Sequence, residues 1–131
     1  MRAYQAPDPP FDVSVQRLRA TAIVRATGEL DVATAPVLAD VLRALDRPCR
    51  RVVLDVSGLT FIDSSGLALA VNAHRRATRD GYELVVAGAS GTVLDVLRLT
   101  GLDVSLPLAP DVETALGDGH PLRDRSGTTV R

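Results

Sequence analysis

Residues 52–71 read VVLDVSGLTFIDSSGLALAV, and this stretch joins a strand pattern to a helix pattern through one short polar turn. It begins within RRVVLDVSG (50–58), a short continuous apolar run that is typical of a central strand covered on both faces. It ends within SSGLALAVNAHRRATRDG (64–81), whose first part is apolar and whose second part is polar. This segment predicts a helix, and Gly81 is a residue type that commonly follows the last turn of one. A strand that leads into a helix predicts one unit of a parallel sheet.

The segments before this unit predict a hairpin followed by a helix. FDVSVQRL (11–18) and TAIVRATGEL (21–30) have strand patterns and lie close enough in sequence to pair with each other. APVLADVLRALDR (35–47) carries its apolar residues on one helical face. We expect Thr34 to be the N-cap of this helix and Pro36 to lie in its first turn, where a missing N–H is harmless.

The segments after this unit continue the alternation of strands and helices. They predict a buried strand in YELVVAGA (82–89), a helix in SGTVLDVLRLTG (90–101), a short edge strand in VSLPL (104–108) and a last helical turn or two in DVETALG (111–117). The fold class is therefore α/β, with a mixed, mostly parallel sheet of four to five strands packed against about four helices. We expect one domain over 11–117, with a flexible N-terminus at 1–10 and a flexible tail at 118–131.

Composition excludes several classes of function. The net charge is −1, with 15 basic and 16 acidic residues well mixed, which argues against direct binding of nucleic acid. Cys49 is a single cysteine, so no internal disulfide can form and a reducing compartment is favoured. No apolar run approaches the roughly 18 residues of a membrane span, and MRAYQAPDPP lacks the apolar core of a signal peptide. We expect a cytoplasmic protein that is a monomer or a weak dimer.

Ser64 and Ser65 have three interpretations. The first is structural: Asp63 or Ser64 caps the helix, and we expect Asp63 and Ser65 to share that role. The second is a nucleophile, but no G-x-S-x-G motif is present and no lysine is available. His74 lies ten residues along the same helix, about 15 Å away at 1.5 Å per residue. The serines are therefore not expected to be catalytic.

The remaining inventory argues against a cofactor or a metal. One cysteine and two dispersed histidines, His74 and His120, do not form a usual zinc site. Neither a phosphate-binding G-x-x-x-x-G-K-[ST] loop nor a G-x-G-x-x-G motif is present. Asp31, Asp55 and Asp63 lie near the ends of strand patterns, and we expect them either to gather at one sheet edge or to serve as caps and turn formers. We predict a protein that is not an enzyme.

The third interpretation makes Ser64 a substrate for phosphorylation. A serine at an exposed helix N-terminus can accept a phosphoryl group, because the helix dipole tolerates an anion there. The fold would then survive the modification, whereas a partner docked on that surface would meet a new charge of about −1.5 to −2. Such a site would switch binding and leave stability nearly unchanged.

Two motifs carry a resemblance to a known family. GELDVATAP (28–36), followed by VVLDVSGLTFIDSSGLALAV (52–71), resembles the STAS family of anti-sigma factor antagonists. The resemblance covers about residues 11–117 and implies the STAS fold, a mixed sheet packed against helices.

The resemblance also implies a partner and a switch. Members of this kind bind an anti-sigma factor that is also a serine kinase, and so release a sigma factor. The kinase phosphorylates the serine after the motif aspartate, and a metal-dependent serine phosphatase reverses this. Carried across, the phosphoacceptor is Ser64, and the implied partner surface comprises Asp31, Asp63, Ser64, Ser65, Gly66 and Leu67. Gly66 would allow close approach, and Asp31 would lie near Ser64.

Other members of the family leave alternatives open. One is a STAS accessory subunit of an ABC-type lipid transporter, which is equally small. Another is a component of a larger stress-signalling assembly. A third alternative, from a different class of protein, is a nucleotide-binding domain, although only the turn geometry supports it.

Overall fold

The structure is a computed structural model that describes residues 10–45 and 49–117. The predictions made for the tail at 118–131, and for all of the N-terminal segment except Pro10, lie outside the described residues. In chain order the elements are β1 (Asp12–Leu18), β2 (Thr21–Leu30), α1 (Ala35–Arg43), β3 (Arg51–Ile62), α2 (Ser64–Asp80), β4 (Glu83–Ala87), α3 (Gly91–Leu99), α4 (Leu102–Ser105), β5 (Leu108–Ala109) and α5 (Val112–Ala115).

The strands form one five-stranded sheet in the order β1-β2-β3-β4-β5. β1 and β2 pair antiparallel as the predicted hairpin, with Val15 opposite Val24. The other three pairings are parallel, because each follows a crossover connection through the helices. The predicted fold class, a mixed and mostly parallel sheet, is confirmed.

The two faces of the sheet are covered unequally. The larger core packs the sheet against α1, α2 and α3 through buried aliphatic residues such as Val24, Leu38, Leu54, Ala70 and Val93. A smaller core on the other face is covered by α5 and contains Ile23, Val53, Val85, Ala87 and Ala115. The three long helices therefore lie together on one side of the sheet. The amino-terminal ends of α1 and α2 lie at the carboxyl ends of β2 and β3, which they follow in the chain.

The predicted edge strand at 104–108 is wrong in its extent. Gly101, at φ 78°, ends α3 in the left-handed conformation, and the chain continues as the one-turn helix α4. The amide of Leu106 donates to the carbonyl of Leu102 at 2.9 Å, which keeps residues 102–105 helical. Only Leu108 and Ala109 pair with β4, at the edge of the sheet as predicted. The single turn of α4 has too few residues to show a helical period.

β3 is longer than the sequence predicted, since it continues past Gly58 to Ile62. Its pairing with β2 contains two register shifts, between Arg25 and Thr27 and between Gly28 and Glu29. A Cβ at Gly58 would lie 2.6 Å from Cγ2 of Thr27, so the glycine permits close strand contact at the irregularity. Gly58 therefore marks a bulged region inside the strand, and the strand does not end there.

Candidate functional site

The carboxyl ends of β2 and β3 lie side by side and place two aspartates at one edge of the sheet. Leu30 pairs with Ile62 in parallel register, and the amide of Asp63 donates to the carbonyl of Leu30 at 3.2 Å. Asp31 and Asp63 are the next residues of the two strands. The prediction that Asp31 lies close to the serine turn agrees with this geometry.

The turn after β3 is built around the Asp63 side chain. Oδ1 of Asp63 accepts from the amides of Ser65 at 2.9 Å and Gly66 at 3.3 Å. Asp63 is thus the N-cap of α2, as predicted, and Ser64 is the first helical residue. The expectation that Ser65 shares the cap is wrong, because Ser65 contributes its amide as a donor while Asp63 supplies the acceptor.

Ser64 is exposed, whereas Ser65 is half-buried. Within the described residues, no hydrogen bond is recorded for the hydroxyl of Ser64. Because Asp63 already satisfies two of the first amides of the helix, this hydroxyl is not needed to hold the turn. The side chain is therefore available to a second molecule.

The turn after β2 has the same construction. Oδ1 of Asp31 accepts from the amides of Ala33 at 3.0 Å and Thr34 at 3.1 Å. Thr34 occupies the N-cap position of α1, as predicted, but its side chain makes no capping hydrogen bond. Its hydroxyl instead donates to the carbonyl of Glu29 at 2.7 Å and accepts from the amide of Asp31 at 2.9 Å. Pro36 lies in the first turn of α1, as predicted.

Gly66 has a packing role. It is buried, and a Cβ at this position would lie 2.7 Å from Cγ1 of Ile62 and 2.8 Å from Cγ of Leu30. The missing side chain therefore lets the first turn of α2 sit directly on the ends of β2 and β3. The sequence predicted that Gly66 allows a close approach. In the structure the groups that come close to Gly66 are Ile62 and Leu30 in the sheet of the same molecule.

Asp55 lies apart from this edge, so the expectation that it gathers with Asp31 and Asp63 is wrong, and the alternative expectation of a cap or turn former fits it. Its neighbour Val53 belongs to the core under α5, and side chains two residues apart on a strand share a face. Oδ2 of Asp55 lies 3.4 Å from Nε of Arg25, and Oδ1 accepts from the amide of Ser57 at 3.0 Å. This ion pair stabilises the opposite face of the sheet.

Two apolar side chains flank the serine turn and were not singled out from the sequence. Val32 follows Asp31 and is 72% exposed, and Phe61 lies one residue before the end of β3 and is 41% exposed. Leu67, on the first turn of α2, is half-buried. Exposed aliphatic and aromatic groups beside a polar turn are typical of a surface that a protein partner covers. Their signal in the sequence was weak, because Val and Phe otherwise indicate core.

No three histidine, cysteine, aspartate or glutamate side chains within 10–45 and 49–117 are grouped so that they could hold a metal ion. Nδ1 of His74 is buried, and among the described residues it has no hydrogen-bond partner. Across the same ranges, no helix is long and apolar enough to cross a membrane. His120 lies outside the described residues.

Known proteins resemble this chain in sequence and in structure. A family model described as STAS domain matches residues 12–115. The anti-sigma F factor antagonist of Paenibacillus polymyxa is 29% identical over 108 residues, which are 81% of this chain and 92% of that protein. The anti-sigma-B factor antagonist of Staphylococcus aureus strain NCTC 8325 / PS 47 is 31% identical over 80 residues, 60% of this chain and 74% of that protein. An anti-sigma factor antagonist from Mycobacterium paratuberculosis has a similar structure, with a TM-score of 0.75 at 28% identity, and the match covers 82% of this chain and 92% of that one.

Proposed function

Because this chain belongs to the STAS domain family, we propose that it is an anti-sigma factor antagonist controlled by phosphorylation of Ser64. In its unphosphorylated form it binds an anti-sigma factor serine kinase, and the sigma factor held by that kinase is released. Phosphorylation separates the pair, and a metal-dependent serine phosphatase restores binding. The proposed place of action is the cytoplasm, without direct contact with nucleic acid or membrane.

The observation that carries this proposal is the free, exposed hydroxyl of Ser64 beside a cap made by Asp63. A phosphoacceptor has to reach the active site of another enzyme, and Ser64 is the exposed first residue of α2. The turn itself is held by bonds from Ser65 and Gly66 to Asp63. Modification of Ser64 would therefore leave the bonds that fix the turn in place.

The proposed partner surface surrounds this hydroxyl. The two turns and the first turn of α2 contain Asp31, Asp63, Ser65 and Leu67, and the exposed Val32 follows Asp31 in the turn after β2. Gly66 supports the surface from below by packing on Leu30 and Ile62. The apolar side chains of this surface would be removed from water when the partner binds, and the acidic side chains would orient the partner and favour a complementary charge on it.

The chemistry of the switch belongs to the partner enzymes. In the kinase step the Ser64 oxygen forms a bond to the γ-phosphorus of ATP, its proton passes to a base on the kinase, and ADP leaves. The product carries about −1.5 to −2 charge at pH 7, next to the Asp63 carboxylate. Such a charge inside a desolvated interface weakens binding, because burial removes its hydration and the neighbouring Asp63 carboxylate repels it. The phosphatase transfers the phosphoryl group to water.

The test is a phosphorylation assay with the cognate kinase and ATP. We expect one added phosphate, mapped by mass spectrometry to Ser64, in the wild type and in the control variant Ser65→Ala, and none in Ser64→Ala. Phosphate on Ser65, or no phosphate, would contradict the proposal. A pull-down that recovers the ATPase subunit of an ABC-type transporter instead of a sigma-factor regulator would favour the transporter alternative.

A further inference from the structure

A groove with a volume of about 720 Å³ runs between α1 and α2 and opens to solvent. Its lining includes four small residues: Ala35, Ala39, Ala68 and Ala73. At one end the groove reaches Val32 and Ser65, next to Ser64, and the larger polar side chains lie toward the carboxyl end of α2. The groove therefore begins at the proposed partner surface.

The rim of the groove is basic. Arg43, Arg75, Arg76 and Arg79 line it, and none of its lining residues is acidic. Arg43 pairs with Asp40 and Arg79 with Asp80. Within the described residues, no hydrogen bond or ion pair is recorded for Arg75 or Arg76. The groove thus combines small apolar lining residues with two arginines, Arg75 and Arg76, for which the described residues show no ion pair.

The shape and the charge of the groove indicate its occupant. An open trough between two helices accepts the apolar stripe of a third helix, and alanines in its lining allow the backbone of that helix to come close. A helix seated there would place its flanks against the guanidinium groups, which pair best with carboxylates. We propose that the groove binds an acidic amphipathic helix of the anti-sigma factor kinase. This inference rests on the proposed function and names the segment of the partner that docks.

The proposed contact also explains why phosphorylation would release the partner. Ser65 lines the groove and is adjacent to Ser64, so a phosphate on Ser64 stands at the mouth of the groove. An acidic helix in the groove would then be repelled by the like charge of the phosphate, and the bulk of the phosphate would obstruct the mouth of the groove. A basic partner helix would be attracted by the same phosphate, and the switch would work in the opposite direction.

The first experiment compares charge reversal inside and outside the groove. Arg75→Glu with Arg76→Glu reverses the charges of these two rim arginines. Arg19→Glu with Arg98→Glu makes the same change in net charge at exposed positions that do not line the groove. We expect affinity for the kinase to fall at least about tenfold in the groove variant and less than about twofold in the control, since charged pairs contribute mainly where they touch.

Equal effects of the two double variants, or no effect of either, would overturn the inference. Phosphorylation of Ser64 in that case would leave the proposed function intact. Circular dichroism of both variants checks that the fold is kept. Failure of the wild type to bind the kinase would instead count against the proposed function, and the groove is then tested with a peptide.

The second experiment uses a synthetic helical peptide with leucines at i, i+3, i+4 and i+7 and glutamates elsewhere. Its control carries lysines in place of the glutamates. Fluorescence anisotropy should show that the wild type prefers the acidic peptide by at least about tenfold, and that the groove variant loses this preference. Equal binding of both peptides, or binding of neither, would overturn the inference. Vesicles of phosphatidylglycerol that bind at Arg75 and Arg76 while the acidic peptide does not would identify a membrane surface instead.

The third experiment maps the partner segment directly. A photo-crosslinking amino acid replaces Asn72, which lines the groove and is exposed, and a control places it at Asp95 on α3. We expect crosslinks from position 72 to an acidic helix of the kinase and none from position 95. Crosslinks to a basic or non-helical segment would contradict the inference.

Discussion

The turns after β2 and β3 are built alike, yet only the second presents a hydroxyl to solvent. In each turn an aspartate Oδ1 accepts from the amides two and three residues later: Asp31 from Ala33 and Thr34, and Asp63 from Ser65 and Gly66. In each turn the residue directly after the aspartate is exposed. That residue is Val32 in the first turn and Ser64 in the second.

The third residue after the aspartate explains the rest of the difference. In the first turn it is Thr34, whose hydroxyl is committed to the carbonyl of Glu29 and the amide of Asp31. In the second turn it is Gly66, which closes the contact with Leu30 and Ile62. The Thr34 hydroxyl is bonded within its own turn, whereas the Asp63 carboxylate holds the second turn without the hydroxyl of Ser64. This difference supports the proposal that Ser64 acts on a second molecule.

The largest expected effect is on partner binding by Ser64→Asp. A negative charge at the exposed position should lower affinity for the kinase by about 100-fold, because it enters a desolvated interface. The melting temperature should change by less than about 2 °C, since Asp63 still caps α2. Isothermal titration and thermal unfolding measure the two quantities.

The matched control for Ser64→Asp is Thr92→Asp, which adds the same charge to the exposed first turn of α3. It should bind the kinase as the wild type does. A large loss of stability in Ser64→Asp would break the comparison, because it would show that Ser64 holds its turn as Thr34 does.

The next effect is on stability and concerns Gly66→Ala. The added methyl would lie under 3.0 Å from the side chains of Ile62 and Leu30, so the end of α2 has to shift. We expect the free energy of unfolding to fall by about 1–3 kcal/mol, as in other overpacked cores. Denaturation in urea measures the change, and Ser65→Ala in the same turn should stay within about 0.5 kcal/mol of the wild type. A wild-type stability for Gly66→Ala would show that the packing role assigned to Gly66 is wrong.

Thr34→Val should have a smaller effect on stability and none on the switch. Valine keeps the shape of threonine but removes the hydroxyl bonded to Glu29 and Asp31. The expected loss is about 1 kcal/mol of unfolding free energy, with Thr34→Ser as the control that retains the hydroxyl. Phosphorylation of Ser64 should proceed at the wild-type rate. A marked loss of phosphorylation would mean that the two turns are coupled.

The smallest effect is expected at a third turn of the same kind, at the start of α5. Oδ1 of Asp111 accepts from the amide of Thr114 at 2.7 Å, and this bond, together with one to the side chain of Thr114, lowers the pKa of Asp111. A lowered pKa means that the stabilisation is present above the ordinary aspartate pKa of about 3.9 and is lost as pH falls through the lower folded value.

Asp111→Asn should therefore be less stable than the wild type near neutral pH, by less than Thr34→Val is. The difference should shrink as pH falls below about 4, where the wild-type carboxylate also loses its charge. Urea denaturation at several pH values measures this. A difference that stays constant over the same range would contradict the role of the charged form.

The sequence predicted the local features of the site better than their arrangement. Asp63 as a cap and Ser64 at a helix start followed from short-range chemistry, because caps depend on residues only two or three apart. Thr34 stands at the predicted N-cap position, but its hydroxyl bonds to Glu29 and Asp31 of the preceding turn and makes no capping bond to α1. Asp55 does not join Asp31 and Asp63, because β3 continues past Gly58 to Ile62. Asp55 instead accepts from the nearby amide of Ser57, as the alternative expectation of a turn former held.

The order of the strands and of the three longer helices, and the Asp63 cap, followed from the sequence alone, because apolar periods and capping residues act over a few positions. Only the tertiary structure decided which turns meet. The parallel register of β2 with β3, including its two irregularities, brings Asp31 and Asp63 together and leaves Asp55 with Arg25 on the other face. The packing of α1 beside α2 likewise forms the basic groove. These features depend on contacts between residues far apart in the chain, which no local pattern records.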